Sequence, residues 1–309
     1  MKPLGPFRHW KHMLRYRQVA NALAHHGFDL MFGRAQRRGD GAPLNGVVSA
    51  APEHLRRTLE ELGPTFVKLG QLLSTRPDLI SREYIKELEK LQDHVPPFPY
   101  EQVRQVLAEE GVDVDLHFAH LEPEPFASAS IGQVHEGVLR SGERVVVKVQ
   151  RPGIQQVVET DLEILYELAQ LAERRTGWGK LYRITDIVRE FAQALRKEMD
   201  FAQEGRNADK FRRNFAGSET VLIPRVFWHV TTPRVLVLEY VGGVKVSDVE
   251  ALKAAGYDLT RVAAHVVEAL FHQIYTHGFF HADPHPGNLA VTEGEKIIFY
   301  DFGQVGTID

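Results

Sequence analysis

From Pro52 to Ala108 the apolar residues return at helical spacing, and punctuation cuts the run into separate helices. "PEHLRRTLEELG" closes at Gly63, Pro64 restarts a helix through Leu73, and "SREYIKELEKLQ" opens on Ser81 as a cap. "HVPPFPY" at 94–100 is a rigid breaker, after which one more helix reaches about Glu110. The period then changes to two. "FASASIGQVHEGVLRSGERVVVKVQ" (126–150) places short β-rich runs on either side of a Ser-Gly pair, which predicts a hairpin. Long helical patterns follow at 155–175 and 185–213. "VLIPRVFW" and "RVLVLEYV" read as strands, 260–277 as a helix, and "KIIFYDFG" as a final strand. Ahead of all this, 1–33 reads as helix and 37–46 as a linker rich in Gly, Pro and Asn. The expected class is α+β.

Composition narrows the setting. At 309 residues the chain can hold two ordinary domains, and 43% hydrophobic with 25% charged residues is ordinary globular material. Cysteine is absent, which excludes disulfides and thiolate metal ligands. The start shows no secretory signal pattern, and no run of about 18 uncharged apolar residues predicts a transmembrane helix. A cytoplasmic chain without a nucleic-acid partner is expected.

The net charge of −4 hides an asymmetry, because residues 1–57 carry ten Lys/Arg against three Asp/Glu. There Trp10, Met13, Leu14, Tyr16, Val19, Leu23, Phe28, Leu30, Met31 and Phe32 interleave with Arg15, Arg17 and Arg34. Such a helix can pack on its own domain with a solvated basic face, which is the preferred reading. It can also lie on an anionic membrane surface, which would place the chain peripherally at the inner membrane face.

Candidate chemistry concentrates in "FFHADPHPGNLAV" (279–291). His281, Asp283, His285 and Asn288 within eight residues admit three readings: a polar turn, a metal site, or a phosphotransfer loop. Asn288 follows Asp283 by five residues and Asp301 of "YDFG" follows it by eighteen. Phosphoryl transfer needs a carboxylate near the acceptor and two oxygen-bearing ligands for Mg²⁺ on the phosphates. The kinase signature H-x-D-x-x-x-x-N with a later D-F-G has this order and spacing, which makes Asp283 the candidate catalytic carboxylate and Asn288 and Asp301 the candidate Mg²⁺ ligands.

The cation for the α- and β-phosphates would be Lys148 in the β-branched "RVVVKVQ". Its glutamate partner is expected on a downstream helix, where Glu198, Asp200 and Glu204 stand. The phosphate-covering template reads Ala127, Ser128, Ala129, Ser130, Ile131, Gly132, Gln133, Val134, with alanine at two of three glycine positions. Alanine permits close backbone approach but resists positive φ, so the phosphates should be held differently. "LVLEYVGG" resembles a hinge whose backbone at Glu239 and Val241 would meet adenine. A metal hydrolase would leave Lys148, Glu204 and D-F-G without work.

Four features now carry a resemblance. They are "FVKLGQLLSTRPDLI" with its K-x-G-Q (Lys68, Gly70, Gln71), the alanine-rich "ASASIGQV", the E-x-D of Glu198 and Asp200 followed by Glu204, and "HADPHPGN" with "DFG". Together they span residues 52–309, and the sequence resembles the UbiB/AarF family of atypical, protein-kinase-like proteins associated with ubiquinone and other prenyl-lipid metabolism. The resemblance implies ATP and Mg²⁺ as cofactors and a Lys148–Glu204 pair. It also implies a helical K-x-G-Q block over the nucleotide site, where Lys68 and Gln71 meet Glu198 and Asp200. The expected architecture is a two-lobed protein-kinase-like fold with a basic arm and linker (1–46), a helical K-x-G-Q extension (47–121), an N-lobe with inserted helices (122–243) and a partial C-lobe (244–309). With Asp309 eight residues beyond Asp301, the second lobe is expected to be incomplete.

The function expected is ATPase or small-molecule or lipid kinase activity supporting ubiquinone or prenyl-lipid biosynthesis, with a lipid precursor as acceptor and a homodimer or biosynthetic complex as assembly. Ala282 replaces the arginine that many protein kinases pair with a phosphorylated loop, which argues against a protein substrate. The rivals are a nucleotide-binding scaffold without turnover and an aminoglycoside- or choline-kinase-like phosphotransferase; the latter leaves K-x-G-Q and "ASASIGQV" unexplained.

Overall fold

The computed structural model describes residues 13–22, 45–91, 95–175, 181 and 183–308, with the backbone alone over 45–50. After a helical stretch at 13–22, the elements in chain order are α1 (Asn45–Leu62), α2 (Pro64–Ser74), α3 (Arg82–Leu88), α4 (Tyr100–Glu109), a single turn α5 (Val114–His117), and strands β1 (Phe118–Leu121), β2 (Ala127–Ser128), β3 (Gly132–Leu139) and β4 (Arg144–Gln150). Then come α6 (Ile154–Arg175), α7 (Ile184–Glu198), α8 (Phe201–Asn214), β5 (Val221–Leu222), β6 (Val235–Glu239), β7 (Val244–Lys245), α9 (Val249–Ala254), α10 (Leu259–Phe271), β8 (Phe279–His281), β9 (Leu289–Thr292), β10 (Lys296–Phe299) and β11 (Val305–Thr307). Two compact units result, one of Met1–Val95, Ala129–Ile131 and Gly153–Leu195, the other of Pro96–Ser128, Gly132–Pro152 and Arg196–Asp309.

The first unit is helical. Gly63, at φ +94°, ends α1, and Pro64 starts α2 at the position where its missing N–H is harmless. Gly70 lets α2 lie close to its neighbours, since a Cβ there would stand 2.8 Å from Leu59 Cδ1 and press on Leu91. Arg15 is committed to packing: it binds both oxygens of the fully buried Asp161 at 2.7 and 2.9 Å, donates to the Leu62 carbonyl, and lies 5.7 Å from the Phe66 ring centroid. Val19 is buried as well, so the stretch 13–22 follows the packing reading of the basic arm. The remainder of the expected 1–33 helix, and 37–44 of the expected linker, lie outside the described residues. Asn45 already opens α1.

The second unit is built on an antiparallel sheet of order β1-β3-β4-β6, with β2 also on β3. The expected hairpin is present: β3 and β4 pair from Gly132↔Gln150 to Val138↔Arg144, and Gly142 takes the turn at φ +100°. Along β4, Val145, Val147 and Val149 are fully buried against α4 and β1 residues such as Val103, Leu107 and Phe118. The two-residue period of a strand therefore sends Lys148 to the opposite face. A four-stranded sheet, β5-β10-β9-β7, and the pair β11-β8 complete this unit.

Several expectations need correction. The helical extension drawn to residue 121 stops earlier, because α4 packs in the sheet's core and Phe118–Leu121 pairs with β3. The single helix over 185–213 is two, α7 and α8, since Asp200 turns out of helical geometry and its carboxylate accepts the Gln203 N–H. Of "VLIPRVFW" only Val221–Leu222 is a strand, and it belongs with β10. "KIIFYDFG" stops being a strand at Phe299, two residues before Asp301, and is not the last, because Val305–Thr307 pairs with β8.

A closed polar network sits in the sheet. The buried Gln133 amide accepts the Phe98 N–H at 2.9 Å, donates to the Phe98 carbonyl at 3.1 Å, and donates to His135 Nε2 at 2.9 Å. His135 Nδ1–H donates to the Glu122 carbonyl at 2.8 Å. Both ring nitrogens are satisfied only in the neutral ring, and burial lowers its pKa accordingly. The unfolded chain takes up a proton below about pH 6.5 that the fold refuses, so stability is full above that pH and falls as the pH drops through it. His135→Gln should flatten the loss of thermal stability between pH 7 and 5 relative to the parent, measured as melting temperature against pH; parallel curves would show that this ring is not responsible.

Candidate active site

Lys148 Nζ donates to Glu204 Oε2 at 2.8 Å, joining β4 to α8. The glutamate is 4% exposed and the lysine side chain 30%. Burial alone would lower the lysine's pKa, but the charges of Glu204 and Asp301, the hydrogen bond and the charge of Glu198 overturn it and hold the ammonium above its ordinary value. For Glu204, burial raises the pKa above the ordinary carboxylate range; the Lys148 ammonium opposes this and the Asp301 charge adds to it. The Lys148 ammonium also stands 4.8 Å from the Phe201 ring centroid.

Local sequence explains why α8 presents Glu204. Asp200 caps the helix and fixes its phase, so Glu204, Asn207, Ala208 and Phe211 share the buried face. Gly205 brings that face close to β6, since a Cβ there would stand 3.3 Å from Leu236 and 3.1 Å from Trp228. Glu198 and Asp200, both half-buried, flank this corner, and Gln150 Nε2 donates to the Met199 carbonyl between them at 2.8 Å.

The loop after β8 is tied to the D-F-G by its histidine. Buried His281 donates from Nε2 to the Asp301 carbonyl at 2.5 Å and accepts the Asp283 N–H on Nδ1 at 3.1 Å. Both nitrogens are engaged, which removes His281 from the metal-ligand reading of this loop. His285 Nδ1 accepts the Gly287 N–H at 3.0 Å and caps the Pro286–Asn288 turn. Asp283 is exposed; Asn288 and Asp301 are half-buried. Their segments are joined by the Tyr300 N–H to the Asn288 carbonyl at 3.0 Å, and Asp301 Oδ1 accepts the Gly303 N–H at 2.8 Å. A carboxylate and a carboxamide are hard oxygen donors, and a Mg²⁺ that keeps water and phosphate oxygens in its shell is suited by such a pair.

Other expected residues fall as follows. Ala127 and Ser128 form β2 against Val134 and Gln133. Ser130 and Ile131 are buried, Ala129 is half-buried, and Gly132 opens β3 where a Cβ would stand 2.5 Å from the Val149 carbonyl oxygen. The Glu239 N–H donates to the Arg225 carbonyl, and the Val241 carbonyl accepts the Tyr300 hydroxyl at 2.9 Å, so those two hinge groups are already engaged. In the helical unit, Gln71 Nε2 donates to the Leu91 carbonyl at 3.3 Å, and Lys68 lies one turn earlier, half-buried. Asn207, which donates to the Phe302 carbonyl at 2.9 Å, escaped the sequence reading; its position three residues after Glu204, on the same helix face, was the available signal. Among the described residues no helix is long and apolar enough to cross a membrane.

A strand lysine paired to a helix glutamate, with an H-x-D loop bound to a D-F-G, defines an atypical protein-kinase-like domain. Residues 90–309 match the ABC1 atypical kinase-like domain, and the chain belongs to that family. It is 46% identical over 255 residues to Protein ACTIVITY OF BC1 COMPLEX KINASE 7, chloroplastic, of Arabidopsis thaliana, covering 82% of this chain and 36% of the relative. It is 43% identical over 261 residues to Probable protein kinase UbiB of Marinobacter nauticus, covering 83% and 48%. The chain thus spans less than half the length of these relatives. Among solved structures, the Rv3197–erythromycin complex from Mycobacterium tuberculosis superposes with a TM-score of 0.61 at 26% identity, over 85% of this chain and 66% of that one. The resemblance read from K-x-G-Q, E-x-D and D-F-G is therefore a family relationship.

Lys148→Met would leave Glu204 buried beside Asp301 without its ammonium. Stability to urea should fall by about 1–3 kcal/mol. Lys148→Met/Glu204→Met should lose less than the single variant, because an apolar pair replaces the charges together. A double variant as unstable as the sum of the singles would contradict the pairing.

Proposed function

We propose that this chain binds ATP with Mg²⁺ and transfers the γ-phosphoryl group to water or to a small-molecule or lipid hydroxyl, in support of ubiquinone or prenyl-lipid biosynthesis. The observation that carries the reading is the Lys148–Glu204 ion pair beside Asp301, with His281 binding the Asp301 carbonyl to the Asp283 loop. Membership of a kinase-like family that includes UbiB supports it.

In this reading Lys148 neutralises the α- and β-phosphates and Glu204 keeps the ammonium in place. Asn288 and Asp301 would hold Mg²⁺, which supplies charge neutralisation on the β- and γ-phosphates. Asp283 orients the acceptor hydroxyl and takes its proton as the acceptor oxygen bonds to phosphorus and ADP departs with the electrons of the broken P–O bond. Positioning and charge placement supply most of such catalysis. Pro284 and Pro286 stiffen the loop by fixing φ. Parts for Lys68, Gln71 and the Ala127–Val134 segment in the same chemistry are proposed on the family resemblance alone, as are a lipid precursor, an anionic membrane surface and a biosynthetic complex as partners.

Asp283→Asn should leave ATP affinity nearly intact and cut ATP turnover by ~10²–10⁴-fold, the range for a lost general base. Asp301→Asn should abolish the Mg²⁺ dependence of nucleotide binding with the fold retained, read by calorimetry and circular dichroism. Undiminished Mg²⁺-ATP affinity in Asp301→Asn, or parental turnover in Asp283→Asn, would refute these roles.

A further inference from the structure

The backbone of Asp301-Phe302-Gly303 is held by side chains at three of its polar groups. His281 Nε2 donates to the Asp301 carbonyl at 2.5 Å, Asn207 Nδ2 donates to the Phe302 carbonyl at 2.9 Å, and Asp301 Oδ1 accepts the Gly303 N–H at 2.8 Å. The Asn207 bond is buried and spans 95 residues of sequence. Its amide is itself oriented, because Gln203 Nε2 donates to Asn207 Oδ1 at 3.0 Å, Arg206 Nε donates to Gln203 Oε1 at 3.0 Å, and Arg206 reaches Asp200 at 3.2 Å. The Phe302 ring is fully buried against Phe211 of the same helix, with centroids 5.4 Å apart.

We infer that Asn207 is a positioning residue for the nucleotide–metal site: with His281 it clamps the backbone at Asp301 and Phe302, so that the Asp301 carboxylate is held in place before any ligand arrives. The inference rests on the nucleotide reading only for what Asp301 binds; the clamp itself is a property of the ligand-free chain. A swing of the Asp-Phe-Gly segment would have to break the buried Asn207 bond and the His281 bond, leaving a buried amide and a buried ring short of partners. The Lys148 pair and the candidate metal ligand are therefore joined through α8, which carries both Glu204 and Asn207. Asp200 joins this link through Arg206, which ties the E-x-D corner to the D-F-G by side chains of α8 alone.

The test uses Asn207→Ala and Asn207→Asp in the full chain; the second keeps the shape and removes the donor. Amide hydrogen exchange of the ligand-free protein should show Phe302 and Gly303 protected in the parent and at least ~10-fold faster in both variants, the scale of one lost hydrogen bond. Exchange along β4 and β6 should stay at the parental rate. Unchanged exchange at 302–303, or protection lost throughout the chain in both variants, would overturn the positioning role. The second readout is affinity for Mg²⁺-ATP against ATP with chelator. Both variants should weaken Mg²⁺-ATP by ~10-fold and leave metal-free ATP within about twofold, whereas equal weakening of both would assign Asn207 to general packing. If the parent binds no nucleotide, the nucleotide reading fails while the exchange result still decides the clamp.

Discussion

A carboxylate at 4% exposure has to find charge among its neighbours, and Glu204 finds it on a distant stretch of chain. The Lys148 ammonium reaches it from β4, and Asn207, one turn further along α8, ties the same helix to the segment after β10. Stripping water from such a group costs several kcal/mol, and the geometry that offsets it must be exact on all sides at once. β4, α8 and the D-F-G are thereby fixed relative to one another. Each of the other polar contacts nearby, from His281 to the Asp301 carbonyl and from Asn207 to the Phe302 carbonyl, extends that constraint along the backbone.

Elementary periodicities deliver these groups to one place. On β4 a slip of one residue would turn Lys148 into the valine core and Val147 or Val149 out of it, so the apolar alternation of 145, 147 and 149 fixes where the ammonium points. On α8 the Asp200 cap sets the phase that puts Glu204 and Asn207 on the buried face. Gly205 then allows the helix to approach β6 closely enough for the ion pair to form across the gap. Hydrophobic packing thus chooses the positions, and electrostatics confirms them.

What the sequence made legible follows from the range of each signal. The hairpin over 126–150, the helices after Gly63 and Pro64, and the spacing from His281 to Asp301 depend on neighbours in sequence, and they could be read. The break at Met199–Asp200 was also local, written in the Asp cap, but the continuous helical period across 185–213 concealed it. β1, β5 and β11 are four, two and three residues long and exist through partners far along the chain, so no periodicity announces them. Lys148 and Glu204 could be paired from motifs, whereas Asn207 could not, because its partner is a backbone carbonyl and every residue has one. The metal reading of 281–285 looked plausible for the same reason: ligand-type side chains are visible in sequence, and the backbone groups that engage His281 are not.

Charge around Lys148 carries one further consequence for the proposed chemistry. Glu204, Asp301 and Glu198 all act on this single ammonium and hold it charged against its burial. In the proposed chemistry a triphosphate would meet carboxylates as well as the lysine, and in a half-buried site their repulsion is weakly screened. A divalent cation held by Asp301 would turn that carboxylate into an anchor. On this reading the metal-bound nucleotide would be the favoured entering species. The same reading would let a chain with alanine at two of three glycine positions, Ala127 and Ala129, do without a glycine-rich phosphate cradle, because much of the phosphate charge would be met by the Lys148 ammonium and by a metal held at Asp301.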